Sequence, residues 1–383
     1  MSCQSHVMIV VGTRPEAIKM APVAHQLAGD PERIRVSLLV TAQHREMLDQ
    51  VLQHFGLQPD HDLNIMTPGQ SLTQVVVRAL EGLDRVLERE PPQLVLVHGD
   101  TATSVAAGLA AFHRQIKVGH VEAGLRSGDR RQPFPEEMYR RLTGVVADLH
   151  FAPTAGARSN LEGEGVSRSR VMVTGNTVID ALEMTVDPAY TWKMPQLGDL
   201  PSESKLILVE AHRRENWGRG LESICRALRD LVRSRPETYL LFSVHKNPQV
   251  SRVVMEYLGE EERVMLLPPL DYPEWINLMA RSYLIITDSG GLQEEAPALG
   301  VPVLLLRDVT ERPEALEAGT VRMVGTDRER ILSWSQRLLD EPEEHARMAG
   351  APNPFGDGQA SRRIKEYLLY FWGWEKAPPE EFR

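Results

Sequence analysis

Short apolar runs alternate along this chain with longer stretches of helical period, and most of the runs end in a polar cluster. In the first half, residues 7–11 run into Gly12-Thr13-Arg14-Pro15-Glu16, residues 94–97 into His98-Gly99-Asp100-Thr101, and residues 118–121 into Glu122. In the second half, residues 206–209 lead to Glu210-Ala211-His212-Arg213-Arg214-Glu215-Asn216, and residues 239–244 to His245-Lys246-Asn247-Pro248. Residues 284–287 lead to Asp288-Ser289-Gly290-Gly291. Continuous apolar runs this short, set between helical patterns, read as parallel strands buried on both faces. Six such runs in each half predict two doubly wound α/β lobes. Ligands of such sheets bind beyond the carboxyl ends of the strands, and those ends hold most of the reactive side chains here. The pattern therefore predicts two Rossmann-like domains facing a shared cleft.

The domain limits follow from where the pattern lapses. Residues 1–180 form the expected N-terminal domain. Residues 187–204 carry three prolines and no helical period, and read as a linker. Residues 205–360 form the expected C-terminal domain. A final helix over about residues 361–372, with the remainder to 383, is expected to pack back on the first domain.

Composition narrows the class. A chain of 383 residues suits two ordinary domains, and 42% hydrophobic with 25% charged residues is that of a soluble globular protein. No apolar run approaches the roughly 18–20 residues that span a bilayer. The start of the chain lacks the charged region and cleavage site of a signal peptide. Cys3 and Cys225 lie too far apart in sequence to suggest a disulfide framework or a zinc site, so a reducing cytoplasm is expected. A net charge of −10 argues against non-specific nucleic-acid binding. Yet Arg14, Lys19, His212, Arg213, Arg214, His245, Lys246, Arg307 and Arg312 all fall at or just beyond strand ends. An acidic chain that collects its cations there is suited to a small anion, and a phosphate-bearing substrate is the natural candidate.

The strand-end residues suggest particular chemistry. The first turn is neither G-x-G-x-x-G nor a Walker A sequence, so neither a dinucleotide nor an ATP γ-phosphate is indicated. A helix starting near Pro15 would place Arg14 just before it and Lys19 a turn further on. Asp288-Ser289-Gly290-Gly291 reads as a strand, a glycine turn and a helix start, where small residues and free N–H groups can hold an anion. Glu294 and Glu295 suit the first turn of that helix, and Glu295 is also placed to accept ribose hydroxyls. Asp100, Glu122 and Glu136 are the candidate acids and bases, because neighbouring carboxylates can divide those roles when their environments separate their pKa values. His212 and His245 end two strands of the second domain and read as phosphate contacts. No HExxH pattern or Cys/His cluster points to a metal.

Taken together, these motifs resemble the non-hydrolysing UDP-N-acetylglucosamine 2-epimerase family, bacterial enzymes that make UDP-N-acetylmannosamine. The resemblance runs over nearly the whole chain through the motifs above, with Thr41-Ala42-Gln43-His44-Arg45-Glu46, Gly119-His120-Val121-Glu122-Ala123-Gly124-Leu125-Arg126, Pro133-Phe134-Pro135-Glu136-Glu137, Thr174-Gly175-Asn176 and Thr310-Glu311-Arg312-Pro313-Glu314. It implies the GT-B architecture, a homodimer and supply of N-acetylmannosamine units for surface polysaccharide. The implied mechanism uses no cofactor and no metal: UDP is eliminated to leave a 2-acetamidoglucal, then added back with a proton on the opposite face of C2. Asp100, Glu122 and Glu136, with His212, are then the catalytic candidates. Arg14, Lys19, His212, Ser289, Gly290, Gly291 and Arg312 would hold UDP, with Glu295 on the ribose and Trp275 near the uracil. Gln43, His44 and Gln70 match residues where a second UDP-N-acetylglucosamine binds and activates.

Four positions depart from the family. Glu210 stands where a threonine is usual, Ser243 and Lys246 replace a proline and an aliphatic residue around His245, and Tyr139 replaces an asparagine. The residues also admit a GT-B glycosyltransferase, a hydrolysing epimerase that releases free sugar, or a sugar-nucleotide-binding regulator without turnover.

Overall fold

In the computed structural model, residues 4–42, 45–67 and 69–383 are described. The chain divides into two compact units, one running to Met184 and resuming at Phe355, the other from Thr185 to Pro354.

In the first unit, β1 (Ser5–Val11), α1 (Arg14–Ala28), β2 (Ile34–Val40), α2 (Arg45–His54), β3 (His61–Asp62) and α3 (Leu72–Arg89) are followed by β4 (Leu94–His98) and α4 (Ala102–His113). Then come β5 (Lys117–Val121), α5 (Glu136–Val146), β6 (Leu149–Ala152), α6 (Ala155–Gly163), β7 (Val171–Val173) and α7 (Thr177–Glu183). The sheet order is β3-β2-β1-β4-β5-β6-β7, and every pair is parallel. Val7, Met8, Ile9 and Val10 of the central β1 are fully buried, as a strand covered by helices on both faces must be. Six apolar runs were expected and seven strands are found. The extra strand, His61–Asp62, pairs at the sheet edge through Leu39↔His61 and Val40↔Asp62 and contains no apolar residue to reveal it.

The second unit contains α8 (Pro195–Gly198), β8 (Lys205–Glu210), α9 (Arg219–Ser234), β9 (Thr238–Ser243), α10 (Pro248–Leu258), β10 (Val264–Leu267) and α11 (Tyr272–Arg281). It continues with β11 (Leu284–Thr287), α12 (Leu292–Ala298), β12 (Val303–Leu305), α13 (Pro313–Ala318), β13 (Val321–Met323), α14 (Arg328–Asp340) and α15 (Pro342–Ala349). Its order is β10-β9-β8-β11-β12-β13, again all parallel. In both sheets the winding reverses beside the first strand, between β1 and β4 and between β8 and β11. Adjacent loops there leave in opposite directions and open a crevice, the position at which such sheets bind ligands. Residues 185–204 are held against α11: Asp187 N donates to Asn277 Oδ1 (2.8 Å), and Arg281 Nη1 donates to Leu197 O (2.7 Å).

The last helix, α16 (Ala360–Phe371), belongs to the first unit and packs on α1 and α7. Its N-terminus is capped from another element. The Asp180 carboxylate accepts from Ala360 N (3.2 Å), Ser361 N (2.8 Å) and the Ser361 hydroxyl. Beyond α16 the tail returns to the sheet, where Phe382 N donates to Val173 O (2.9 Å) and Arg158 donates to Glu381 (2.7 Å). Losing the cap in Asp180→Ala should cost about 1–2 kcal/mol, the scale of an N-cap deletion. Amides of residues 360–371 should then exchange faster with deuterium while those of α9 do not. Unchanged exchange over 360–371 would show that the helix docks without this cap.

Candidate functional site

At the first switch point the backbone is organised by a buried carboxylate. Glu16 is fully buried on α1, and its Oε2 accepts from Gly12 N (3.0 Å), Thr13 N (2.8 Å) and Thr13 Oγ1 (2.8 Å). Its Oε1 accepts from Thr101 Oγ1 (2.6 Å), which ties the turn after β1 to the turn after β4. Burial pushes the Glu16 carboxyl upward, and these hydrogen bonds oppose the rise. Gly12 has no room for a side chain: a Cβ there would lie 2.0 Å from Thr103 Oγ1. The amides of Gly12 and Thr13 are thus spent inside the protein, and the cations beside this turn are the side chains of Arg14 and Lys19. Arg14 is the first residue of α1, one position earlier than the start expected at Pro15; it is half-buried, with no hydrogen-bond or ion-pair partner among the described residues.

Glu122 follows β5 with φ +62°, a left-handed conformation that costs a non-glycine residue about 1–3 kcal/mol and persists where surrounding contacts impose it. One of its oxygens carries those contacts. Oε2 receives the Lys19 ammonium and Asn176 Nδ2 (3.0 Å), and His98 Nε2 stands 3.7 Å away. No hydrogen bond reaches Oε1 among the described residues, so the carboxylate is anchored by one oxygen and presents the other. Burial alone would raise this acid, but the charge of Lys19 and the hydrogen bonds from Lys19 and Asn176 outweigh it and hold Glu122 well below the usual carboxylate range. His98 itself is pushed down to about 4 by burial and so is neutral near pH 7.

Asp100 is displaced the other way. Burial raises it, the nearby charge of Glu122 adds to the rise, and Arg140, which donates to its Oδ2, restrains it. The two carboxylates are close enough to feel each other's charge. Glu136 opens α5 and is half-buried, but its neighbour Glu137 is the more enclosed acid: fully buried, it accepts from Ser127 N (3.1 Å) and Arg141 Nε (3.0 Å).

The second switch point is organised in the same manner. Asp288, fully buried after β11, accepts from His212 N (3.1 Å), Arg213 N (2.9 Å) and Asn216 Nδ2 (2.9 Å), which fixes the loop after β8. Trp217 Nε1 closes that loop on His212 O (3.1 Å). The His212 ring stacks on His245 at 5.9 Å, and burial lowers its pKa. Gly290 leaves space for Arg312, whose Nη1 would lie 2.8 Å from a Cβ at that position. Arg312 Nε is held by Glu294 Oε1 (2.5 Å), and Arg312 N by Thr310 Oγ1 (3.1 Å). The amides of Gly290 and Gly291 donate to no protein group among the described residues. Ser289 and Glu295 are half-buried beside that turn, and Trp275 is half-buried on α11. This unit therefore keeps free backbone donors at its glycine turn, whereas Gly12 N and Thr13 N of the first unit are engaged by Glu16.

Residues 25–369 match the UDP-N-acetylglucosamine 2-epimerase family model. The chain is 52% identical over 368 residues to the Escherichia coli (strain K12) UDP-N-acetylglucosamine 2-epimerase, covering 94% of this chain and 98% of that one. It is 50% identical over 376 residues to the Bacillus subtilis enzyme of the same name, covering 98% of each. The chain belongs to the UDP-N-acetylglucosamine 2-epimerase family. Among solved structures, the UDP-GlcNAc 2-epimerase from Neisseria meningitidis bound to UDP-GlcNAc superposes with a TM-score of 0.85 at 45% identity, covering 95% of this chain and all of that one. The GT-B-like pairing of two parallel-sheet units is thus the fold of this epimerase family.

Within this family member, His98, Arg140, Asn176 and Glu16 are the residues that reading by strand ends did not single out. His98 and Asn176 stand inside quoted motifs, so their signal was present. Arg140 reaches Asp100 only because α5 packs against α4 and β5, a long-range fact. Gln43 and His44 lie outside the described residues, as does Cys3. Gln70 is half-buried, accepting from Thr67 Oγ1 (3.1 Å) and Arg78 Nη1 (3.1 Å). Cys225 is a buried thiol pushed up to about 12 by burial. Of the departures, Tyr139 packs on the apolar core of the first unit and Lys246 is exposed. Glu210 and Ser243 are register partners on β8 and β9, so two of the four expected departures sit side by side.

Glu210 is pushed up to about 7, first by burial and then by Asp288 and Glu295. A carboxyl raised in the folded state binds its proton more tightly there, so its stabilising contribution is present below about pH 4.5 and is lost as pH rises through about 7. A shift of that size corresponds to about 3–4 kcal/mol. Glu210→Gln should therefore gain melting temperature over the parent at pH 8 and little at pH 5. An equal difference at both pH values would mean that the carboxyl is solvated.

Proposed function

We propose that this protein interconverts UDP-N-acetylglucosamine and UDP-N-acetylmannosamine by eliminating UDP across C1–C2 and adding it back, without net hydrolysis. The observation that carries the reading is the pair Glu122 and Asp100: two carboxylates near one another, one held ionised by Lys19 and Asn176, the other raised by burial. Such divergence suits one group to take a proton and the other to give one. Support comes from relatives named for this activity and from a structural neighbour bound to UDP-GlcNAc.

In the forward half-reaction the C2 proton passes to a carboxylate as the C1–O bond to UDP breaks, leaving the 2-acetamidoglucal and the UDP anion. In the second half a proton reaches C2 on its other face and the phosphate oxygen re-forms the bond at C1. Glu122, with its unbonded Oε1, serves as base; Asp100, with Glu136, supplies acid function at the other face. Arg14, Lys19, His212, Arg312, the Ser289 side chain and the amides of Gly290 and Gly291 hold the diphosphate through both halves, because preorganised donors stabilise a leaving anion without rearranging. Glu295 binds the ribose and Trp275 lies against the uracil. The same reading makes the protein a cytoplasmic homodimer that supplies N-acetylmannosamine units for surface polysaccharide. It also includes activation by a second UDP-N-acetylglucosamine through Gln43, His44 and Gln70.

Incubating the protein with UDP-N-acetylglucosamine alone in deuterated water should yield a mixture of the two UDP-sugars, with deuterium at C2 in the product. Free sugar would mark a hydrolase instead, and no change would leave a transferase or a binding protein. Asp100→Asn, Glu122→Gln and Glu136→Gln should each lose about 10²-fold or more in rate, while UDP still binds. A variant that keeps full activity removes that carboxylate from the mechanism.

Arg14→Ala should weaken UDP binding by about 1.5–3 kcal/mol, the worth of a hydrogen bond to a charged group. An unchanged affinity by calorimetry would take Arg14 out of the diphosphate site.

A further inference from the structure

Lys19 has two claimants. Its ammonium lies on Glu122 Oε2, with both side chains largely enclosed, at 20% and 12% exposure. The functional reading also needs it on a diphosphate. A single ammonium cannot fully neutralise both. The groups facing Glu122 are Lys19 from α1, His98 from β4, His120 from β5, Asp100 after β4, and Asn176 at the start of α7. His98 and His120 are both pushed down to about 4 by burial, so neither supplies positive charge near pH 7. Arg140, the other cation nearby, is committed to Asp100 and Glu137. Lys19 is therefore the cation that keeps Glu122 ionised.

We propose that Lys19 is shared in sequence: a bound diphosphate draws its ammonium off Glu122, so the carboxylate becomes a strong base only once the anionic ligand is in place. The inference rests on the epimerase reading for the identity of that ligand. Three features of the structure prepare for the exchange. Arg14, five residues earlier on α1, has no partner among the described residues and can share the incoming anion. Asn176 Nδ2 keeps its bond to Oε2 when Lys19 leaves, so the carboxylate stays oriented. His98 Nε2 is buried and makes no hydrogen bond; from 3.7 Å it need close by less than about 1 Å to reach bonding distance of the same oxygen. A base clamped by an ammonium at rest and freed by substrate would not react with stray acids between turnovers.

The exchange predicts proton uptake. As Lys19 leaves, Glu122 gains proton affinity, so UDP binding should draw in protons on the acid side of neutrality. Calorimetry of UDP binding in buffers of different ionisation enthalpy, between about pH 5 and 7, reads this directly. UDP's own phosphate titrates in every variant, so the comparison is between proteins. The parent should take up more protons per UDP than Glu122→Gln, and its affinity should tighten relative to that variant by up to tenfold per pH unit for one linked proton. Lys19→Met should lose the extra uptake as well as affinity, because the ammonium is already gone. Equal uptake in the parent and Glu122→Gln overturns the exchange while leaving the epimerase reading intact. Extra uptake that survives in Lys19→Met also overturns it, assigning the effect to the phosphate charge alone. A parent protein that does not bind UDP at all removes both the functional reading and this inference.

Discussion

A fully buried carboxylate stands at the point where each sheet reverses its winding, and the local backbone depends on it. Glu16 gathers the amides of the turn after β1 and the hydroxyl of Thr101; Asp288 gathers the amides after β8 and the side chain of Asn216. Burying an acid is costly unless its oxygens are satisfied, and here each carboxylate accepts at least three hydrogen bonds. The reward is geometric. Loops that leave the strands in opposite directions are held at fixed separation, so Arg14 and Asp100 in one unit, and His212 and Ser289 in the other, start from rigid backbone. Removing either acid would orphan several amides at once.

A buried carboxylate does different work in the two units. In the first, Glu16 takes the Gly12 and Thr13 amides, and the cations beside the turn are the side chains of Arg14 and Lys19. In the second, Asp288 secures the neighbouring loop and leaves the Gly290 and Gly291 amides unspent, with Arg312 laid across the glycine. A diphosphate and a reacting sugar make opposite demands. The diphosphate needs fixed donors; the sugar needs acids and bases whose protonation can change.

Most of the cations in question already lean on carboxylates. Lys19 rests on Glu122, Arg312 on Glu294 and Glu311, Arg307 on Glu215 and Glu311, and Arg140 on Asp100. An anion entering such a site must displace or share an existing partner, so the free energy of binding is partly diverted into rearranging charge. Glu210 adds a further acid near Asp288 and Glu295, one that burial pushes up to about 7.

Local pattern sufficed for the parallel sheets, because a strand buried on both faces must be a continuous apolar run. It missed β3, whose two polar residues are a strand only because β2 lies beside them. The strand-end clusters pointed to Asp100, Glu122, Lys19 and the Gly290-Gly291 turn, since ligand groups in such folds collect there whatever the chemistry. Which group touches which was decided only by tertiary structure. The sequence lists Lys19 and Glu122 more than a hundred residues apart, Arg140 forty residues from Asp100, and Arg312 eighteen from Glu294. Pairings of that kind depend on how helices seat against strands, and with them go the sign of each pKa shift and the single unbonded oxygen of Glu122. A sequence can name the ionisable groups; the burial and charge that move their pKa values apart exist only once the chain is folded.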